Sequence, residues 1–186
     1  MPVSAKTEDE ERQFVEQLEA LLPDIEFKQA GGDHAIAMDG ADILVTGTSA
    51  QAPLLEAAWM KPGSFYSHIG GWEDEYEVAK QCDKIVCDDW DTVKHRTQTL
   101  SRMYKDGELA DSDIHADLVE VIAGDKPGRE NDEERIYFNA VGLAYVDVAI
   151  ALAMYRRAVE VGRGLELTMQ ETMIFEHEGL AYYLRL

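Results

Sequence analysis

The sequence predicts an α/β fold, an incomplete Rossmann-like parallel sheet with flanking helices and a long apolar C-terminal helix. Three observations carry this. Apolar runs at 43–46, 65–69 and 84–87 lack the strict two-residue alternation of a half-exposed sheet. Segments of helical character lie between them, the alternation that puts parallel strands under helices. Two of the runs end in small or hydroxylated residues, Thr46-Gly47-Thr48 and Ile69-Gly70-Gly71, the pattern expected where a parallel sheet stops and its carboxyl edge faces a ligand.

The elements follow in order. Thr7 reads as the N-cap of an amphipathic helix, with Glu10 at the capping-box position, acids in the first turn, and Phe14, Leu18, Leu21 and Leu22 on one face. Pro23 and Asp24 stop it, residues 25–27 form a short strand, and 33–38 a helical turn leading through Gly40 into the strand 43–46. A short helical segment at 53–60, a turn at Lys61-Pro62-Gly63 and the strand 65–69 come next. Residues 73–81 read as a helix with an acidic start, 84–87 as a buried strand reaching Asp88 and Asp89. An exposed helix is expected over 89–103, a second over 113–122 ending at Gly124, and a loop over 125–129. The long helix runs from near Asn139 to Val161, so densely apolar that it must be buried on most sides.

Composition bounds the function. With 186 residues, 46% of them hydrophobic, the chain has enough apolar material for one packed domain. The formal charge of -20, from 37 acidic against 17 basic residues, repels phosphate backbones and anionic lipid, so neither nucleic acid nor membrane is an expected partner. Cys82 and Cys87 have no zinc-type spacing, and no apolar run reaches the roughly 20 residues of a membrane span. The first residues carry no basic and apolar leader pattern, so a reducing, cytoplasmic setting is expected.

Five blocks carry a resemblance: residues 41–48 (ADILVTGT), Met60-Lys61-Pro62-Gly63, Asp83-Lys84-Ile85-Val86 with Asp88, residues 124–129 (GDKPGR), and residues 138–144 (FNAVGLA). Their order and spacing over roughly 40–165 resemble the carboxyl-terminal part of the ornithine cyclodeaminase / mu-crystallin family. The resemblance implies a partial NAD(P)-binding Rossmann-like domain over 1–165 and a C-terminal tail at 166–186. It implies hydride transfer at the alpha carbon of a small amino or imino acid, with NAD or NADP as cofactor and a homo-oligomeric assembly. The Gly-x-Gly-x-x-Gly turn and the ribose-binding acid of a dinucleotide fold are absent from the sequence. The chain is therefore expected to be a truncated member beginning after that fingerprint, with the helix from Thr7 as a crossover helix of the sheet.

The candidate cofactor-binding residues are Thr46, Gly47 and Thr48 at the first strand end, Gly70 and Gly71 at the second, and Asn139, Val141 and Gly142. Free backbone amides at this last turn would face the nicotinamide; Asn139 as a plain N-cap is the other reading. His68 and Glu73 are the candidate catalytic groups. In the family a Gly-x-Asp segment supplies a carboxylate for proton transfer; here Trp72 follows Gly70-Gly71 and the next carboxylates are Glu73, Asp74 and Glu75, of which the resemblance assigns the role to Glu73. The competing readings are a structural histidine and a solvated helix start. Lys94, His95 and Arg96 read as a solvated basic face, and the acids near 73–77 and 88–89 lack metal-ligand spacing, so no metal is expected. The alternative to an enzyme is a non-catalytic remnant or scaffold that keeps the fold for interaction.

Overall fold

A computed structural model of the chain describes residues 1–5 and 7–165; the expected tail at 166–186 lies outside them. The chain divides into two compact units, Met1–Leu143 and a second from Ala144 onward.

The first unit opens with β1 (Pro2–Val3), α1 (Glu8–Leu21) and β2 (Lys28–Gln29); β1 and β2 pair in parallel in a two-stranded sheet of their own, so α1 is a crossover within that pair and not, as expected, within the main sheet. Thr7 caps α1 as expected, its hydroxyl oxygen accepting the Glu10 amide at 3.2 Å. The buried residues of α1 are Glu11 and Val15, whereas Phe14, Leu21 and Leu22 are exposed. Glu11 is enclosed because its carboxylate accepts the amides of Ala30, Gly31 and Gly32, closing the turn after β2. That second strand lies at Lys28–Gln29 and not at 25–27, because pairing with Pro2 and Val3 fixes its register.

α2 (His34–Met38), capped by Asp33, leads to β3 (Ile43–Thr46). The helix expected over 53–60 is instead β4 (Gln51–Leu55) followed by a single 3-10 turn, Ala57–Trp59. Proline disfavours a helix interior but tolerates an edge strand, and β4 pairs in parallel with β6 (Trp72–Asp74), burying Leu55. β5 (Phe65–His68) lies between them in sequence. Residues 72–74, expected at a helix start, therefore form a strand, and α3 is confined to Tyr76–Lys80.

β7 (Lys84–Cys87) is buried at all four positions, as its sequence predicts. The single exposed helix expected over 89–103 is two, α4 (Trp90–Val93) and α5 (Thr99–Asp106), and they bury Trp90, Val93, Leu100 and Met103 in the core. The 113–122 segment divides into a 3-10 turn (Asp111–Asp113), β8 (Ala116–Asp117) and α6 (Leu118–Ala123), with Gly124 closing α6 at a φ of 83°. β9 (Ile136–Asn139) is a strand in a stretch to which the sequence assigned no element before the helix expected from near Asn139.

β9 is central. The five-stranded sheet runs β3-β5-β9-β7-β8 with every pair parallel. Ile43, Leu44, Val45 and Thr46 lie beside Phe65, Tyr66, Ser67 and His68, and these lie beside Ile136, Tyr137, Phe138 and Asn139. Three strands thus end level, at Thr46, His68 and Asn139. Leu44, Tyr66, Tyr137, Ile85 and Cys87 join the helices' apolar side chains in one core. On the other face Ile43 and Val45 are 68% and 59% exposed, and β3 has no hydrogen-bonded neighbour on its free side among the described residues.

The second unit is described by α7 (Ala144–Glu160). It begins after Gly142, at a φ of 80°, and not at Asn139, because Asn139 belongs to β9. None of its residues is buried, contrary to the expectation from its apolar sequence. No helix among the described residues is long and apolar enough to cross a membrane.

Candidate functional site

The level ends of β3, β5 and β9 make a rim whose polar groups are tied together by side chains of the chain itself. Glu73, on β6, is fully buried. Its carboxylate accepts the Thr46 hydroxyl at 2.8 Å, the Gly70 amide at 2.8 Å and the Thr48 amide, so it holds the loop after β3 against the loop after β5. Burial alone would raise its pKa, but the donors at Thr48, Thr46 and Gly70 outweigh burial and the group is held below the ordinary carboxylate value. Glu73 is therefore an anion at neutral pH, enclosed by its own chain.

Asp74, the next residue, faces a different set of partners. It accepts the Thr99 hydroxyl at 2.5 Å and the Tyr137 hydroxyl at 2.9 Å, and His68 Nε2 lies 3.4 Å from its Oδ1. Burial pushes its pKa up to about 7, with the Thr99 and Tyr137 hydrogen bonds acting against burial. His68 is lowered by burial, partly offset by the Glu73 charge, so the ring is neutral at physiological pH. Its Nδ1 and the Oδ1 of Asn139, its register partner, are buried without a hydrogen-bond partner among the described residues.

A third carboxylate works at the other end of the rim. Asp88, just past β7, accepts the amides of Val141 and Gly142 at 2.9 and 2.8 Å. Those amides, expected to be free, are thus occupied from within the chain. Gly47, Thr48 and Gly142 are exposed, whereas Gly70, Gly71 and Val141 are partly so. Of the basic residues Lys94, His95 and Arg96, Lys94 pairs with Asp91 at 2.6 Å. No group of three metal-ligating side chains occurs among the described residues.

The structure brings together the predicted Thr46, Gly47, Thr48, His68, Gly70, Gly71, Glu73, Asn139, Val141 and Gly142 along one edge. Sequence reasoning missed Thr99, Tyr137, Gln98 and Asp88 as its supports, and named Asp74 only as a carboxylate next to Glu73. A parallel sheet whose carboxyl ends form a continuous glycine-bearing rim belongs to the nucleotide-binding class of α/β domain.

The comparisons identify the family. The chain matches the ornithine cyclodeaminase/mu-crystallin family over residues 2–162, and it belongs to that family. It is 30% identical over 156 residues to the N-((2S)-2-amino-2-carboxyethyl)-L-glutamate dehydrogenase of Staphylococcus aureus, covering 84% of this chain and 46% of that protein. It is 37% identical over 131 residues to the alanine dehydrogenase of Archaeoglobus fulgidus, covering 68% of this chain and 40% of that one. Among solved structures, the Thermococcus litoralis Delta(1)-pyrroline-2-carboxylate reductase in complex with NADH and L-proline superposes with a TM-score of 0.82 at 30% identity, over 89% of this chain and 52% of the other. An archaeal alanine dehydrogenase dimer with bound NAD gives 0.74 at 34% identity, over 86% and 49%. The chain spans about half the length of the curated relatives it matches.

Proposed function

We propose that this chain forms the cofactor-facing part of an NAD(P)-dependent oxidoreductase acting on a small amino or imino acid. The observation that carries the reading is the rim itself, three parallel strands ending level at Thr46, His68 and Asn139 with glycine-bearing loops beyond them. Similar proteins are solved with NADH or NAD bound.

The residues fit the nicotinamide end of NAD or NADP. Gly47 and Gly142 leave room for a close approach, with nothing within 4 Å of where a Cβ would stand, and Asn139 keeps an orphaned buried oxygen at the rim. When bound, the cofactor supplies or accepts a hydride. The chain's own residues fix the surface for it. Glu73 holds Thr46, Thr48 and Gly70 in place, and Asp88 does the same for Val141 and Gly142. His68 and Asp74 together form a buried proton store beneath the rim, since the Asp74 pKa near 7 lets it gain or lose a proton at physiological pH. Glu73, fully enclosed, acts on the loops and through its charge on His68. The archaeal alanine dehydrogenase solved as a dimer and the exposed apolar residues of α7 support self-association. The free thiols of Cys82 and Cys87 support a reducing, cytoplasmic compartment.

One observation favours the alternative, a non-catalytic scaffold. Five rim donors, the Thr46 hydroxyl and the amides of Thr48, Gly70, Val141 and Gly142, are already taken by Glu73 and Asp88. Mixing the purified protein with NADH or NADPH and a panel of cyclic and linear imino acids separates the two. Cofactor oxidation that requires an imino acid supports the enzyme; saturable cofactor binding with no turnover across the panel supports the scaffold.

A further inference from the structure

We propose that Gln98 is a positioning residue that sets the spacing of the rim at its nicotinamide end, by clamping the loop after β5 to the loop after β9. The proposal rests on the reading of that rim as a cofactor site.

Gln98 immediately precedes α5 and is almost fully buried. Its amide is used at both ends. Nε2 lies 3.2 Å from the Ile69 carbonyl oxygen, 3.0 Å from that of Gly70 and 3.0 Å from that of Ala140. Two N–H groups are therefore shared among three acceptors from two different loops. Oε1 accepts the Asn139 amide at 2.8 Å, which fixes which way the Asn139 side chain faces. The same end of α5 supplies Thr99, whose hydroxyl donates to Asp74. Two consecutive residues thus reach under the rim, one holding its loops and one holding the carboxylate beside His68.

No other side chain in the described residues bonds to both loops. Glu73 joins the β3 loop to the β5 loop, and Asp88 holds the β9 loop from the β7 side. Among the side chains of the described residues Gln98 alone closes the step between β5 and β9, at the two carbonyls immediately before Gly71 and Val141, beyond the backbone bond from the Ala140 amide to the His68 carbonyl at 2.9 Å. Removing its amide leaves three part-buried carbonyls and the buried Asn139 side-chain amide without their donor and acceptor, and the two loops lose their shared side-chain support. Asn139 then becomes free to turn.

The consequence is specific to one part of the ligand. A residue that spaces the nicotinamide rim affects ligands that carry the nicotinamide ring and spares those that lack it. The test measures the affinities of NADH, NADPH and ADP-ribose for the wild type, Gln98→Met and Ser101→Ala. Met keeps the volume of Gln without its polar atoms. Ser101 is a buried residue of the same helix that bonds to the Val93 carbonyl, away from the rim, and reports general loosening of α5. The expected result is a loss of about tenfold or more in NADH and NADPH affinity for Gln98→Met. ADP-ribose affinity is unchanged in that variant, and all affinities are unchanged in Ser101→Ala. Equal losses for NADH and ADP-ribose, or unchanged NADH affinity, overturn the proposal. A wild type that binds no nicotinamide cofactor overturns the site reading and the clamp with it.

If Gln98→Met does not fold, Gln98→Glu decides the matter. Its carboxylate faces three carbonyl oxygens and repels them, but protonation restores one donor. NADH affinity recovering towards the wild-type value as the pH is lowered supports the clamp, and a pH profile parallel to that of the wild type overturns it.

Discussion

Glu73 accepts the Gly70 amide at 2.8 Å and lies so close over that residue that a Cβ there would run into Glu73 Oε1 and the Thr48 carbonyl oxygen. Gly70 is required for lack of space, and the space is filled by the carboxylate that fastens two strand ends. Gly70→Ala is expected to destabilise the protein by about 1–3 kcal/mol through overpacking. Urea unfolding checks this, as a lower midpoint at an unchanged slope.

The pH dependence of stability follows from Asp74. Its pKa rises from 3.8 to about 7 in the folded protein. Between those values the folded chain holds a proton that the unfolded chain has released, so the Asp74 contribution is present at low pH and is lost as pH rises towards 7. His68, lowered by burial, acts in the opposite sense and loses stability as pH falls below its ordinary value. The difference between wild type and Asp74→Asn isolates the first effect. It is expected to change by on the order of 3 kcal/mol across the window, measured by urea unfolding at a series of pH values.

Lys84 fastens the loop that carries the 124–129 motif. Its Nζ donates to the Gly128 carbonyl and to Glu130 at 2.6 Å each, and pairs with Glu134 at 3.2 Å. Lys84→Met keeps the stem and removes the charge. The expected cost is about 1.5–3 kcal/mol, with faster proteolytic cleavage between 125 and 134 in a limited digest.

Burial pushes the Cys82 thiol up to about 12 and Cys87 higher still. Thiolate is the reactive form, so both are expected to resist a thiol-labelling reagent at neutral pH and to react fully once the chain is unfolded. Rapid labelling of the native protein would contradict the packing described for β7.

Much of the sheet was legible in the sequence. β3, β5 and β7 are short runs bounded by turns, and Lys84-Ile85-Val86-Cys87 reads as buried because it is. β9 was hidden because Ile136-Tyr137-Phe138-Asn139 runs with only a short break into the apolar helix, and local pattern cannot place a boundary there. β4 and β6 were hidden because Pro53 and the acids at 73–75 are also good helix-start residues. The rim residues were found from strand ends and family blocks. Their supports were not, because what buries Asp74 and Gln98 is a set of partners 25–63 residues away in the chain, and no periodicity encodes such a meeting.

The central claim is that the rim from Thr46 through Gly70 to Gly142 receives a nicotinamide cofactor. Calorimetric titration of the purified protein with NADH and NADPH tests it most directly. The account predicts saturable binding at one site per chain, with a Kd below about a millimolar for at least one of the two, weakened in Gly70→Ala. No saturable heat with either cofactor at several millimolar would contradict it.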